Sequence, residues 1–187
     1  MKFSEKTLLI QSLVIRCQAE DDTAFEELIN MFHKRIYCYA IHLMGATVDI
    51  DDVLQDVWIN VYRNIPRLRN TRAFTSWLFK IVRNQIYMQF RRRKIHVCQM
   101  SVNELSNISE PVPVMSDEIF SQMMVCLNQL PVEQKDVLIL KYYENLSYKE
   151  MADCMNCPVG TVRSRLHYAK KMLKQKYEEN NNECTNQ

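Results

Sequence analysis

Thr161, Ser164, His167, Tyr168, Lys171 and Lys174 recur at the three- and four-residue spacing of one helix face, with Arg163 and Arg165 on its flanks. No Asp or Glu occurs between Cys157 and Tyr177. Cations beside hydroxyl donors suit phosphate oxygens and base edges in a major groove. Val162, Leu166, Ala169 and Leu173 make a narrow apolar stripe on the other side. A solvated Lys/Arg-rich helix on a bundle surface would carry the same charge, so the preceding segment gives the face its meaning. Ser147 stands three residues before Glu150, which predicts a capping box and a helix start. Tyr148, Met151, Ala152 and Met155 then share a face. The helix breaks at Asn156-Cys157, and Pro158 opens a second helix reaching at least residue 173. Two short helices joined by a tight turn, the second basic on one side, outline a helix-turn-helix reader of duplex DNA over residues 146–174.

A second basic surface has a different character. Residues 61–94 contain no Asp or Glu but carry Arg63, Arg67, Arg69, Arg72, Lys80, Arg83, Arg91, Arg92, Arg93 and Lys94. Leu78, Ile81, Val82 and Ile86 face one way on a helix; Lys80, Arg83, Asn84, Tyr87 and Arg91 face the other. Cations interleaved with an aromatic ring suit a nucleic-acid backbone with bases stacked nearby. Phe74 and Trp77 add ring surface, with Trp77 expected in the core. The preceding helix is opposite in sign. Asp49, Asp51, Asp52 and Asp56 cluster near its start, where the helix dipole favours acids. Asp52, Gln55 and Asp56 also form a polar patch at i, i+3 and i+4, a shape that could dock a protein partner.

The elements that must hold these faces are helical. Gly45 and Gly160 are the only glycines among 187 residues, and prolines number 5. With abundant Leu, Met, Lys, Glu and Gln, that scarcity predicts an all-α protein. Helices are expected over about 4–18, 23–44, 50–64, 71 or 75 to 94, 119–129 and 131–144, followed by the helix-turn-helix. Thr23 with Glu26 offers a second capping box, and Phe25, Leu28, Ile29, Phe32, Ile36 and Ala40 a core stripe. Residues 95–118 hold two prolines and four acids, Glu104, Glu110, Asp117 and Glu118, with no Lys or Arg. They read as an acidic flexible linker. The expected organisation is two small helical domains, 1–94 and 119–177, joined by 95–118, with a frayed polar tail at 178–187.

The totals exclude some classes. Net charge is only +2, so bulk charge identifies no partner. The apolar stretch 8–15 is too short and polar to span a membrane, and it has no signal-peptide cleavage site; a cytoplasmic protein is expected. The 7 cysteines are odd in number and scattered. Cys154-Met-Asn-Cys157 has metal-ligand spacing without a second ligand pair, so no metal or cofactor is expected.

The blocks AFEELINMFHKRIYCYA, DIDDVLQDVWINVYRNI, TRAFTSWLFKIVRNQIYMQFRRRK and LPVEQKDVLILKYYENLSYKEMADCMNCPVGTVRSRLHYAKKMLK, in this order, resemble the extracytoplasmic-function (ECF) sigma factors of bacterial RNA polymerase. The resemblance covers 24–174 apart from the linker. It implies that Asp52, Gln55 and Asp56 dock on the clamp helices of the polymerase's largest subunit. Arg69, Asn70, Thr71, Arg72 and Phe74 would fall at the loop that captures an extruded base of the −10 promoter element. Lys80, Arg83, Asn84 and Tyr87 would follow the non-template strand. Thr161, Arg163, Ser164, Arg165, Tyr168 and Lys171 would read the −35 element. The linker would thread toward the active centre and RNA exit path. Core polymerase (clamp helices and flap region), promoter DNA and an anti-sigma factor are the implied partners. The capture loop, Arg-Asn-Thr-Arg, departs from the acidic or Gly residue frequent in relatives, which leaves base preference open. Cys154-x-x-Cys157 is also unusual.

Two other classes compete. A stand-alone helix-turn-helix regulator would bind isolated duplex without polymerase and carry ligand or phosphate-acceptor features in its N-terminal half; no Gly-rich loop or acidic pocket is evident there. A nucleic-acid enzyme needs a catalytic constellation, and His33, His42, His96 and His167 are scattered without a matched carboxylate pair.

Overall fold

The computed structural model describes residues 3–45, 50–97 and 118–185. Among these, the regular structure is helical: α1 (Phe3–Gln18), α2 (Asp22–Met44), α3 (Ile50–Asn64), α4 (Phe74–Val97), α5 (Glu118–Asn128), α6 (Val132–Leu138), α7 (Tyr148–Met155) and α8 (Val159–Thr185). Short 3₁₀ turns at Ile65–Arg67 and Thr71–Ala73 bend the chain between α3 and α4. Most of the linker, and Asp49, lie outside the described residues.

Local chemistry explains the boundaries. Gly45, at φ 75°, closes α2, its N–H donating to the Ile41 carbonyl. The start of α2 differs from the Thr23–Glu26 box: Asp21 is the cap, accepting from the N–H of Thr23 at 3.0 Å and of Ala24 at 3.2 Å. A carboxylate two residues earlier is the stronger acceptor and satisfies two orphan donors. Its hydrogen bonds with Thr23 and Arg16 pull the Asp21 carboxyl down to about 2. The expected single helix over 131–144 is α6 followed by a π turn, Ile139–Tyr143, in which Glu144 N–H reaches the Ile139 carbonyl. Instead of fraying at 178, α8 continues to Thr185, with Lys176–Glu179 and Lys174–Glu178 pairs along its side. The fourth helix runs on to Val97, so the first residues assigned to the linker are helical.

Helices α1–α4 pack around α2, whose Leu28, Phe32, Ile36 and Ala40 are fully buried. Phe32 meets Phe74 edge-on at 5.5 Å, and Tyr39 meets Phe79 at 5.4 Å. Each such ring contributes about 1.5–3 kcal/mol by burial. Phe25 and Ile29 of the expected stripe are only half-buried. Helices α5–α8 gather on α8 through Val162, Leu166 and Ala169. The two helical domains pack against each other. Helix α4 lies along α7, α2 touches α6, and one continuous apolar cluster runs through both.

Candidate nucleic-acid interface

The helix-turn-helix forms as its caps dictate. The Ser147 N–H donates to Glu150 Oε2 at 2.8 Å and the Glu150 N–H to Ser147 Oγ at 3.2 Å, a reciprocal box that starts α7. Asn156, left-handed at φ 51° and ψ 50°, ends α7 and turns the chain into α8. On α8, Arg163, Ser164, Tyr168 and Lys171 are exposed, with Thr161 and Arg165 half-buried beside them. Ser164 Oγ donates back to the Thr161 carbonyl at 3.0 Å. Of the residues expected to share a face on α7, Met151, Ala152 and Met155 are buried and Tyr148 is exposed. The Tyr148 ring lies between Lys141 (4.9 Å) and Arg163 (5.6 Å), holding two cations beside the start of α8.

The loop before α4 is fastened from α1. Gln18 Nε2 donates to the carbonyls of Leu68 at 2.8 Å and Ile65 at 3.0 Å. Asn70 Oδ1 then accepts from the Arg72 N–H at 3.1 Å. Arg69, Asn70 and Arg72 are exposed and Thr71 is half-buried. Phe74 is a correction to the surface assignment: its ring is 0% exposed, packed between Phe32 and Trp77. An aromatic at the first position of α4 gains more from this core than from solvent, so it supports the loop from beneath. Trp77, expected in the core, is half-buried: it packs against the core and its free side lines a groove.

Along α4, Asn84 is exposed and Lys80 half-buried. Arg83 lies over the Tyr87 ring at 4.2 Å. Both are half-buried. Arg83 Nε donates to Asp136 Oδ2 at 2.7 Å, Tyr87 Oη to the same oxygen at 3.1 Å, and Tyr39 Oη to Oδ1 at 2.6 Å. Burial works against the charge of Arg83, yet the Asp136 carboxylate outweighs it and raises the guanidinium pKa. Burial first, and Asp136 second, raise both tyrosine hydroxyls above their ordinary value. All three groups therefore stay donors at neutral pH. On α3, Asp52, Gln55 and Asp56 are exposed on one face, which continues into Ile59, 42% exposed.

Residues 28–95 match the family described as Sigma-70 region 2, and residues 120–173 match Sigma-70, region 4. The ECF RNA polymerase sigma-E factor of Haemophilus influenzae is 31% identical over 178 residues, covering 89% of this chain and 94% of that one. The chain belongs to the ECF sigma factors. The RNA polymerase sigma-H factor of Pseudomonas aeruginosa is 30% identical over 175 residues, covering 87% of this sigma factor and 91% of its own length. The fold is shared with the sigma factor RpoE of Bartonella quintana, solved with the anti-sigma factor NepR (TM-score 0.66, 23% identity, 82% of this chain and 96% of that one). It is shared equally with CnrH, solved with the cytosolic domain of CnrY (TM-score 0.66, 18% identity, 89% and 96%).

The contacts that join the two halves of this sigma factor escaped the sequence. Besides Asp136 and Tyr39, Arg35 grips Glu144 at 2.6 Å, with the Glu144 side chain 1% exposed. Burial raises the Glu144 carboxyl pKa, and Arg35 only partly offsets that. His42 packs edge-on to Tyr143 at 6.0 Å, its imidazole held below the ordinary value by burial and by Lys135. One signal was available: Asp136 lies four residues after Val132 and four before Leu140, a carboxylate within an inward stripe. A buried acid requires a partner. Among the described residues no group of three metal-ligating side chains occurs. Cys154 is a free buried thiol pushed up to about 12, chiefly by burial, so it stays protonated.

Proposed function

We propose a division of labour for this sigma factor among three surfaces. Asp52, Gln55 and Asp56 dock on the clamp helices of core polymerase. Arg69, Asn70, Thr71 and Arg72, with Lys80, Arg83, Asn84 and Tyr87 of α4, hold the opened −10 region. Thr161, Arg163, Ser164, Arg165, Tyr168 and Lys171 read the −35 element in intact duplex. Phe74 backs the capture loop from the core and leaves stacking to other rings. The domains are 1–94 and 119–177, with the acidic stretch between them spanning polymerase from one element to the other.

The observation that carries this reading is the contrast of settings. The α8 face is exposed and free of acids, as major-groove hydrogen bonding requires. The α4 face combines cations with an aromatic hydroxyl, as a single strand requires. Holding an extruded base favours the melted state, so the protein acts stoichiometrically, as a factor and not as a catalyst. It works in the cytoplasm, beside polymerase and chromosome; no described helix is long and apolar enough to cross a membrane. An anti-sigma factor is a further proposed partner, in keeping with the complex in which the Bartonella relative was solved.

Run-off transcription with purified core polymerase on a promoter library tests the reading. Absence of both core binding and directed initiation would sink it. Asp52→Arg combined with Asp56→Arg should abolish core binding while leaving helicity intact; retention of binding would remove the docking assignment.

A further inference from the structure

Of the residues assigned to the single strand, Thr71, Lys80, Arg83 and Tyr87 are half-buried beside the C-terminal helices, while Arg69, Asn70, Arg72 and Asn84 are exposed. Trp77 and Lys80 line a groove of about 560 Å³ whose other wall is Asp153, Asn156 and Pro158. Thr71 and Arg72 share a second cleft with Glu144 and Asn145. Arg83 and Tyr87 are bonded to Asp136, which is 0% exposed. The donors on that carboxylate are a guanidinium N–H and two hydroxyls, the same groups that hold a phosphate oxygen of a nucleic acid.

We propose that the closed chain is self-inhibited, with Asp136 occupying on α4 the place of a phosphate of the single strand. The inference rests on the strand-binding reading of α4. Exchange of Asp136 for a phosphate keeps Arg83 and Tyr87 paired with an anion, so opening leaves no uncompensated cation once a strand arrives. The block is selective. Asp52, Gln55 and Asp56 on α3, and Arg163 and Tyr168 on α8, are exposed in the same closed form. Polymerase and duplex therefore reach their sites first, and strand capture waits for α6 and α7 to leave α4 and α2.

The test uses the full chain without polymerase. Small-angle scattering reports compactness, and anisotropy of a labelled, short, mixed-sequence single-stranded DNA at low salt reports strand binding. Asp136→Asn should raise the radius of gyration above the compact value of about 16 Å and tighten strand binding about tenfold. Adding Arg83→Ala to Asp136→Asn should cancel the gain. If Asp136→Asn fails to fold, Tyr39→Phe loosens the same carboxylate without touching a strand-binding group, and it should tighten strand binding about threefold. Circular dichroism establishes that each variant is helical. A folded Asp136→Asn or Tyr39→Phe chain with unchanged strand affinity overturns the self-inhibition. The strand-binding reading is tested apart, in holoenzyme: normal promoter melting by Arg83→Ala would overturn that reading and leave the closed packing standing.

Discussion

The basic faces of α8 and α4 use the same side-chain chemistry with opposite availability. On α8, Arg163 and Tyr168 stand in solvent, and the nearest acid beyond them in the helix is Glu178. On α4, Arg83 and Tyr87 are spent on Asp136, brought from more than forty residues away in the chain. Sequence charge is similar in the two segments, so charge does not decide what the free chain binds. Exposure does. On the proposed reading, the duplex-reading face is open in the closed form, whereas Arg83 and Tyr87 become free for a strand only after rearrangement.

The contrast can be broken at several depths. The largest effect is expected under α4. Phe74→Ala empties a fully buried site and should cost about 3–5 kcal/mol, read as a lower urea midpoint. A loss below about 1 kcal/mol would return Phe74 to a surface role. Arg35→Ala comes next, because it leaves the Glu144 carboxylate buried without its cation. Discounted for the partial exposure of Arg35, the cost is about 2–3 kcal/mol. It falls on the seam between the helical groups, and unfolding should separate into two transitions. One unshifted transition would mean that the seam contributes little.

Arg163→Ala and Arg83→Ala sharpen the comparison directly. Arg163→Ala should weaken duplex binding by the free chain by about 1–3 kcal/mol. Arg83→Ala should leave that affinity within about twofold, since the group is already bonded internally. Equal losses in the two variants would erase the difference between the faces. The smallest effect is a pH dependence at His42. Its imidazole pKa is depressed in the folded chain, so the unfolded chain takes up a proton at a pH where the folded one stays neutral. The stabilisation is present above the ordinary value of 6.5 and is lost as pH falls from there through the folded pKa. Thermal midpoints should drop on acidification across that window, and His42→Gln should flatten the curve. An identical slope in the variant would clear His42 of the effect.

Local chemistry was legible in the sequence wherever a few neighbouring residues decide the outcome. The Ser147–Glu150 box, the break at Asn156, the Gly45 stop and the bounds of α3 all follow from near neighbours. Errors arose where two local signals competed. Asp21 outbid Thr23 as a cap because a carboxylate is the better acceptor. The tail beyond 178 stayed helical because α5 packs on α8 and Asn180 reaches Cys126. The seam was hidden for a different reason. Arg35 and Glu144 are 109 residues apart and Tyr39 and Asp136 are 97 apart, so no periodicity connects them. The surface assignments on α4 therefore missed the partner that Arg83 and Tyr87 already hold.

Asn156 makes one more thing follow. It joins α7, pressed against α4, to α8, which at 27 residues is about 40 Å long at 1.5 Å per residue. Such a rod is a lever with its short arm at the seam. A tilt of about 10° at α7 would carry the far end of α8 through roughly 7 Å, if the left-handed turn transmits it stiffly. If α4 is uncovered as proposed, α8 would be re-aimed in the same stroke, gearing the two proposed promoter contacts to each other.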